Sequence, residues 1–358
     1  MTRAQAEIPV YATLPLATLT GPTENLVSRL LAALSVGAMS PEDVRALREY
    51  GETRARQGVS LSDVQSGWRI AVRETLSELT TVARAARISD RTLLEITHEL
   101  LDVVDQATMA YSGGHRDVEI DMALHDQQMR ADFARGLLLG TLGPAEIGRR
   151  AQHYGLDPDA EYLAVRARAQ DESAAAEIRR LLGVGRVRGL SATIDGDLAA
   201  FVSAFPRPGL EGVLAVGPAA GLEALPRSFR LAGRMLATAH LFGLTGVADL
   251  DRLGVLPAVA VDPDLGAELT RRYLDPLGSG ESARVVIDTV ERYLDTGMRI
   301  EATAEHLVVH PNTVRYRLTR FAELTGADLR APHIAVRVWW AIQRRRAEAA
   351  KGTARDDR

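Results

Sequence analysis

Residues 300–318 read IEATAEHLVVHPNTVRYRL, and this stretch fits two short helices joined by a tight turn. One small residue falls where two such helices cross closely, and apolar residues recur at a spacing that gives both helices one core. The residues of this predicted core are Ala304, Leu307, Val309, Val314 and Leu318. The stretch therefore predicts a helix-turn-helix.

The ends of the second helix are also marked in the sequence. Pro311 suits the first turn, because the N–H that proline lacks would have no partner there. His310 then takes the cap position, and Gly326 marks the end of the helix. On a helical wheel, Val314, Leu318, Phe321 and Thr325 share one face, so the other face is expected to meet solvent.

The exposed face of this helix carries side chains suited to DNA. Asparagine pairs with adenine edges, arginine with guanine or phosphate, and threonine and tyrosine with phosphate. The helix Pro311–Leu324 is therefore predicted to lie in the major groove. The predicted DNA-binding residues are His310, Asn312, Thr313, Arg315, Tyr316, Arg317, Thr319 and Arg320. The alternative is an ordinary helical hairpin with a solvated surface.

The run from Leu294 to Leu329 resembles the C-terminal helix-turn-helix of the PucR-type bacterial activators, the purine catabolism regulators also called CdaR-type. The residues that carry the resemblance are Ala304, Leu307, His310-x-Asn312-Thr313-x-x-Tyr316-Arg317-Leu318 and Glu323-Leu324-Thr325-Gly326-x-Asp328-Leu329. Pro311 stands where the family more often has arginine, which removes one phosphate contact. The resemblance implies a transcriptional regulator that binds double-stranded DNA.

The resemblance extends toward the N-terminus through domain order and hydrophobic pattern. Residues from about Phe133 to Gly246 resemble the degenerate GGDEF-like domain that precedes this helix-turn-helix in the family. Residues from Glu24 to about Gln128 resemble the helical sensor domain of the RsbR/RsbT co-antagonist type. This order implies that the N-terminal and central domains sense a signal, from an unidentified small-molecule or protein effector, and oligomerise.

Hydrophobic periodicity predicts a multidomain, mainly α-helical chain. The predicted parts are a flexible tail at 1–22, a helical bundle for sensing and dimerisation at 23–131, a central α+β GGDEF-like domain at 132–246, a helical linker at 247–279, the helix-turn-helix domain at 280–347 and a tail at 348–358. The bundle helices are predicted at 24–34, 41–57, 61–87, 90–110 and 116–136. Trp68 is expected in the bundle core.

The central part alternates between strand and helix patterns. Strands are predicted at 162–169, 187–194, 198–204 and 213–216, and helices at 144–154, 172–182 and 227–241. Asp195-Gly196 separates two apolar runs, which predicts a tight hairpin because both residue types accept positive φ at low cost. The Gly-Ser-Gly sequence at 278–280 is the predicted boundary before the helix-turn-helix domain.

Composition limits the compartment and the kind of partner. The 358 residues include no cysteine, which removes disulfides and thiolate chemistry and fits a reducing compartment. No signal-peptide pattern opens the sequence, and no continuous apolar run is long enough to span a membrane, so a cytoplasmic protein without membrane contact is expected. Because the formal net charge is −4, a DNA site must be a local concentration of arginine.

The sequence offers little for catalysis. Asp195 and Asp197 occupy the turn that in a diguanylate cyclase carries paired glycines and metal-holding acids, but the second glycine and the acid pair are missing. The glycines at 183, 185 and 189 have one residue too many for a dinucleotide fingerprint and follow a helix, which predicts a loop. His306 and His310 lie on opposite sides of the predicted turn, so this pair is not expected to bind a metal ion. No enzyme, cofactor or metal site is expected.

Two other functions stay open at this point. One is a partner-binding signalling protein of the RsbR/RsbT co-antagonist type, in which the C-terminal helices serve only assembly. The other is a cyclic-dinucleotide-related protein that acts through the GGDEF-like domain. For the DNA-binding reading, at least a homodimer is expected, because helix-turn-helix proteins usually pair two half-sites.

Overall fold

The computed structural model describes residues 7–169, 172–183, 189–204 and 212–356. These residues form fifteen α-helices and one five-stranded sheet, which confirms a multidomain, mainly α architecture. The chain divides into two compact units, residues 1–128 and 129–358, and each is described by itself. In the described part, no helix combines the length and the apolar character needed to cross a membrane.

The first unit is a bundle of helices. They are α1 (Pro9–Thr13), α2 (Leu16–Val36), α3 (Pro41–Arg56), α4 (Leu61–Ala85) and α5 (Asp90–Leu139), whose last turns belong to the second unit. Ser40 and Asp43 form a capping box at the start of α3, and Ser60 caps α4. Trp68 is half-buried and stacks on Tyr111, with ring centres 5.3 Å apart.

Helix α5 is longer than the sequence predicted. Instead of two helices at 90–110 and 116–136, the structure has one continuous helix that passes through Gly113 and Gly114. A Cβ atom at Gly114 would collide with the Arg48 carbonyl, and one at Gly51 would collide with the Tyr111 carbonyl. The glycines therefore permit α3 and α5 to approach closely, and packing outweighs their low helix propensity.

The prediction of a flexible tail at residues 1–22 is also wrong for those of its residues that the structure describes. Ile8 and Tyr11 are 4% and 6% exposed and pack in the core of the helical bundle, and α1 and α2 cover most of residues 9–22. The sequence suggested a tail because its apolar residues here are scattered among proline and threonine and show no long periodic run. Burial in tertiary contacts supplies the stability that propensity lacks.

The second unit begins with an α+β layer. Its elements are α6 (Pro144–His153), β1 (Tyr162–Ala167), α7 (Glu172–Gly183), β2 (Gly189–Ile194), β3 (Asp197–Val202), β4 (Val213–Ala220), α8 (Leu225–Leu241) and β5 (Gly246–Ala248). The strand order is β2-β3-β1-β4-β5, with antiparallel pairs except for the parallel pair β4 and β5. Of the predicted glycine loop, residues 184–188 lie outside the described ranges.

The predicted hairpin is confirmed. Ile194 pairs with Asp197, and both residues of the turn between them have positive φ, 52° for Asp195 and 79° for Gly196. Both faces of the sheet are covered. Along β3, Phe201 faces a core that includes Phe133 of α5 and Phe229 of α8, whereas Leu198, Ala200 and Val202 face α7.

The rest of the second unit is helical. The elements are α9 (Leu250–Leu253), α10 (Leu256–Val261), α11 (Pro263–Tyr273), α12 (Glu281–Asp295), α13 (Ile300–Leu307), α14 (Pro311–Thr325) and α15 (Pro332–Asp356). Tyr273 and Leu274 are each 2% exposed and belong to the same core as Phe321 and Val338. The predicted boundary at 278–280 therefore falls too late, because part of the predicted linker completes the core of the C-terminal helices.

Candidate nucleic-acid interface

Helices α13 and α14 form the predicted helix-turn-helix. Ala304 of α13 and Val314 and Phe321 of α14 are 1%, 0% and 0% exposed, as expected for the shared core. The turn between the helices contains Val308 in the left-handed region, with φ of 55°, and its side chain is 90% exposed. A β-branched residue seldom adopts this conformation. Packing of the two helices therefore holds Val308 in a sharp turn that valine itself disfavours.

The ends of α14 are those that the sequence marks. The Nδ1 atom of His310 accepts a hydrogen bond from the Asn312 backbone N–H over 3.2 Å, so His310 caps the helix. Pro311 is the first helical residue, and Gly326 ends the helix with φ of 69°. The Thr313 and Val314 N–H groups donate to the His310 carbonyl over 2.9 and 3.4 Å, so the N–H groups of the first turn of α14 are paired within the protein.

The outward face of α14 also agrees with the helical wheel. Asn312, Arg315, Tyr316, Thr319 and Arg320 are exposed, and Tyr316 reaches 71%. Thr313 is half-buried at the flank, whereas Val314 and Phe321 point inward. One helix therefore presents an amide, a phenol, a hydroxyl and two guanidinium groups on the same surface.

Two arginines of this surface, Arg315 and Arg320, make contacts within the domain. The Nη1 atom of Arg315 donates to Oδ1 of Asn312 over 2.8 Å, and Nη2 of Arg315 lies 3.4 Å from Oε1 of Glu301 on α13. Arg320 makes a longer contact of 3.5 Å with Glu323. All four charged groups are exposed, so these ion pairs are weak and can exchange for phosphate.

Arg317 differs from the other predicted DNA-binding residues. Its side chain is half-buried, and its Nη1 atom donates to Oγ1 of Thr289 on α12 over 3.2 Å. Thr289 itself is fully buried. Arg317 therefore joins α14 to α12, and its place among the DNA-binding residues stays a prediction. Arg317 and Arg315 both flank the core face of the helical wheel, so residue spacing alone does not separate them.

Two partners of these arginines were absent from the sequence prediction. Glu301 and Thr289 lie 14 and 28 residues before the arginines that they contact, so only tertiary packing brings them together. Between residues 280 and 347 there are eleven arginines and eight acidic residues, an excess of positive charge in a chain whose formal net charge is −4. The local concentration of arginine that DNA binding requires is thus present.

Some of that charge is already paired inside the domain. Hydrogen bonds from Arg330 lower the pKa of Asp328, which keeps this exposed pair ionised. Glu291 is 9% exposed, and burial raises its pKa although Nη1 of Arg346 lies 2.8 Å from its carboxylate. Within the described ranges, no three histidine or acidic side chains cluster closely enough to hold a metal ion.

Comparisons with known proteins agree with this geometry. Residues 286–343 match the family model of the PucR C-terminal helix-turn-helix domain, and residues 1–130 match that of the RsbT co-antagonist protein rsbRD N-terminal domain. The first match contains α13 and α14 together with most of α12 and part of α15. The second contains the helices of the first unit except for the end of α5.

Curated relatives match shorter segments. An uncharacterized protein of Mycobacterium tuberculosis is 49% identical over 55 residues, which are 15% of this chain and 13% of that protein. The purine catabolism regulatory protein of Bacillus subtilis is 39% identical over 61 residues, 17% of this chain and 12% of the relative. The chain thus spans about one eighth of the length of these relatives.

A solved structure, the regulator of polyketide synthase expression from Bifidobacterium adolescentis, is 24% identical and covers 62% of this chain and 94% of its own, with a TM-score of 0.32. The assignment of two domains therefore rests on the two segment matches and, for the helix-turn-helix, on the geometry of α13 and α14. The chain carries a PucR-type helix-turn-helix domain at residues 286–343 and a domain of the RsbT co-antagonist rsbRD N-terminal type at residues 1–130.

Proposed function

We propose that this protein is a sequence-specific, DNA-binding transcriptional regulator whose helix α14 enters the major groove. The observation that carries the proposal is the single exposed face formed by Asn312, Tyr316, Thr319 and Arg320 on a helix fixed by buried Val314 and Phe321. An α-helix fits the major groove, and these side chains offer both base-edge and phosphate contacts. The match to the PucR helix-turn-helix family supports this reading.

The two ends of α14 have different tasks in this proposal. Asn312 lies in the first turn and reads base edges, since the N-terminal residues of a recognition helix usually reach the bases. Arg320 lies two turns further along and binds phosphate, while Thr313, Thr319 and Tyr316 add phosphate contacts. His310, at the cap of α14, is proposed to add a further contact to DNA. Arg317 supports the helix from inside, through its hydrogen bond to Thr289.

The regulator is proposed to act as a homodimer or larger homo-oligomer. One recognition helix buries too little surface for specific affinity, and paired half-sites about one DNA turn apart are usual for this class of domain. The N-terminal helical unit and the central sheet are proposed to receive the signal and to support assembly. A cytoplasmic location is proposed, because a regulator of this kind has to reach chromosomal DNA.

The central α+β layer is proposed to be GGDEF-like in ancestry and without enzymatic activity. The Asp197 carboxylate, in a residue 4% exposed, accepts hydrogen bonds from Arg166 Nε at 2.8 Å and Arg168 Nε at 3.1 Å. Asp195 lies 3.3 Å from the same Arg166 guanidinium. These acids stabilise the hairpin, and their charge is already balanced by arginine. Purified protein is therefore expected to show no turnover of GTP.

The direct test is an electrophoretic gel shift with the full chain on the DNA upstream of its own coding sequence. Binding that survives excess random DNA, and that Tyr316→Ala weakens, supports the regulator. The matched control is Arg91→Ala, an exposed arginine of the N-terminal unit, which should bind like the wild type. If the wild-type protein shows no shift at moderate salt, the partner-binding alternative is favoured.

A further inference from the structure

Helices of the first unit line a cavity of about 350 Å³ that is partly open to solvent. Helices α1 to α5 all contribute to its lining, and its walls are mostly apolar. The residues that form these walls include Leu26, Leu30, Val64, Trp68, Ile70 and Val103. This volume falls within the range of sites that bind small organic molecules. The apolar walls suit a ligand with an apolar body.

A single buried cation also lines this cavity. Arg54 is 1% exposed, and its Nη1 atom donates to Oε1 of Gln57 over 2.8 Å. Its guanidinium carbon lies 4.8 Å from the centre of the Tyr50 ring. The Nε–H of Arg54 has no hydrogen-bond partner within the described residues, and no carboxylate there forms an ion pair with this guanidinium. A buried charge without a counterion is costly.

The other polar groups of the cavity do not supply the missing negative charge. Burial raises the pKa of the Tyr11 phenol, so this neighbour of Arg54 stays neutral at physiological pH. Glu74 also lines the cavity, but it is exposed to solvent. The cavity thus combines apolar walls with one arginine whose Nε–H still lacks an acceptor.

We propose that this cavity binds a small amphipathic carboxylic acid, with its apolar body against Trp68 and the aliphatic walls and its carboxylate on Arg54. The carboxylate would accept the unmade Nε–H bond and balance the guanidinium charge, and such charge-assisted hydrogen bonds are stronger than neutral ones. As the effector site of a regulator it rests on the function proposed above. The binding itself does not depend on DNA.

The test measures binding of defined probes to the full-length protein by isothermal titration calorimetry. The probes are hexanoate, octanoate, decanoate and phenylacetate, each paired with the corresponding primary alcohol. At least one carboxylate should bind with one site per chain and at least about tenfold more tightly than its alcohol, as expected for a charge-assisted contact. Absence of saturable binding by every carboxylate, or equal affinity of acid and alcohol, would overturn the proposal.

Variants assign the binding to this cavity. Arg54→Met keeps an apolar stem and removes the charge, so the carboxylate should lose about tenfold or more in affinity while its alcohol is unaffected. Arg56→Met, a solvent-exposed arginine on the same helix, is the matched control and should bind both probes normally. Unchanged carboxylate affinity in Arg54→Met contradicts the proposal.

A second variant covers the case in which Arg54→Met fails to fold. Leu30→Trp fills the cavity from the half-buried α2 wall and should abolish binding of acids and alcohols alike while circular dichroism stays that of the wild type. Normal binding in a folded Leu30→Trp protein places the ligand elsewhere and overturns the proposal. A gel shift on each preparation reports DNA binding separately, so failure of the cavity proposal is distinguishable from failure of the regulator proposal.

Discussion

Arg315 donates a hydrogen bond from Nη1 to Oδ1 of Asn312 over 2.8 Å, within the first turns of α14. An amide oxygen has two lone pairs, so Asn312 can keep this bond and still accept from an adenine amino group. The same arginine lies 3.4 Å from Glu301 of α13. Arg315 therefore contacts both Asn312, the residue proposed to read bases, and Glu301, an acid that competes with DNA phosphate for this arginine.

Removing the competing acid should strengthen DNA binding. Glu301→Gln takes one negative charge from the interface and releases Arg315, so affinity for any duplex should rise by about twofold to fivefold, the value of an exposed ion pair. Fluorescence anisotropy with a random duplex at low salt measures the change. Glu281→Gln, an exposed acid of α12, is the control and should have a smaller effect. A fall in affinity for Glu301→Gln would contradict this role of Glu301.

The C-terminal domain should need its preceding helix to be stable. A fragment of residues 262–346 keeps Tyr273 and Leu274 in the core, whereas 280–346 loses both. Burial of two such side chains is worth about 3 kcal/mol or more, so the longer fragment should have the larger free energy of unfolding by this amount. Urea denaturation of both fragments measures the difference. Equal stability would show that α11 lies outside the folding unit.

The hairpin acids should differ sharply in their contribution to stability. Asp197→Ala leaves Arg166 without its closest carboxylate in a partly buried position, which should cost about 2–3 kcal/mol. Asp195→Asn removes the charge of a side chain that is 77% exposed and keeps a residue type that accepts the positive φ of the turn, so it should cost less than about 1 kcal/mol. Thermal and chemical unfolding of the two variants compare them. Similar small losses for both would remove the structural role assigned to Asp197.

Glu291 should make stability depend on pH. Burial raises its pKa above the ordinary value of 4.5, so the folded protein holds this proton more tightly than the unfolded chain does. The free energy of unfolding contributed by this group therefore falls as pH rises from 4.5 through the raised pKa. Glu291→Gln should abolish that fall, which denaturation at a series of pH values would detect. A variant with the wild-type pH dependence rules out Glu291 as its source.

The sequence was sufficient for α13 and α14 because their core and exposed residues lie within a few turns of one another. Ala304, Val314 and Phe321 can be assigned from spacing alone, and His310 and Gly326 from capping preferences. Long-range packing decided the remaining features. Helix α5 stays continuous through Gly113 and Gly114 because it packs closely on α3 there. The sequence around these glycines carries no information about that contact.

The same distinction explains the contact that the sequence missed at the interface and the wrong prediction at the N-terminus. Arg317 and Arg315 are two residues apart, and only the position of Thr289 on α12 shows that Arg317 turns inward. Tyr11 sits in a short helix without strong periodicity, and its burial comes from the surrounding bundle. The cavity next to Arg54 likewise arises from the assembly of five helices.

The most direct test of the central claim measures the free energy of DNA binding for Asn312→Ala and for Arg320→Ala. Each variant is compared with the wild type on the operator, which is the specific site in the upstream DNA, and on random DNA. Both side chains are exposed on α14, so neither change should disturb the fold. Asn312→Ala should cost about 1–3 kcal/mol on the operator and little on random DNA. Arg320→Ala should weaken both and reduce the salt-dependence slope by about one unit. Equal weakening of operator and random DNA by Asn312→Ala, or no effect of either variant in a folded protein, would contradict the assignment of α14 as the reading helix.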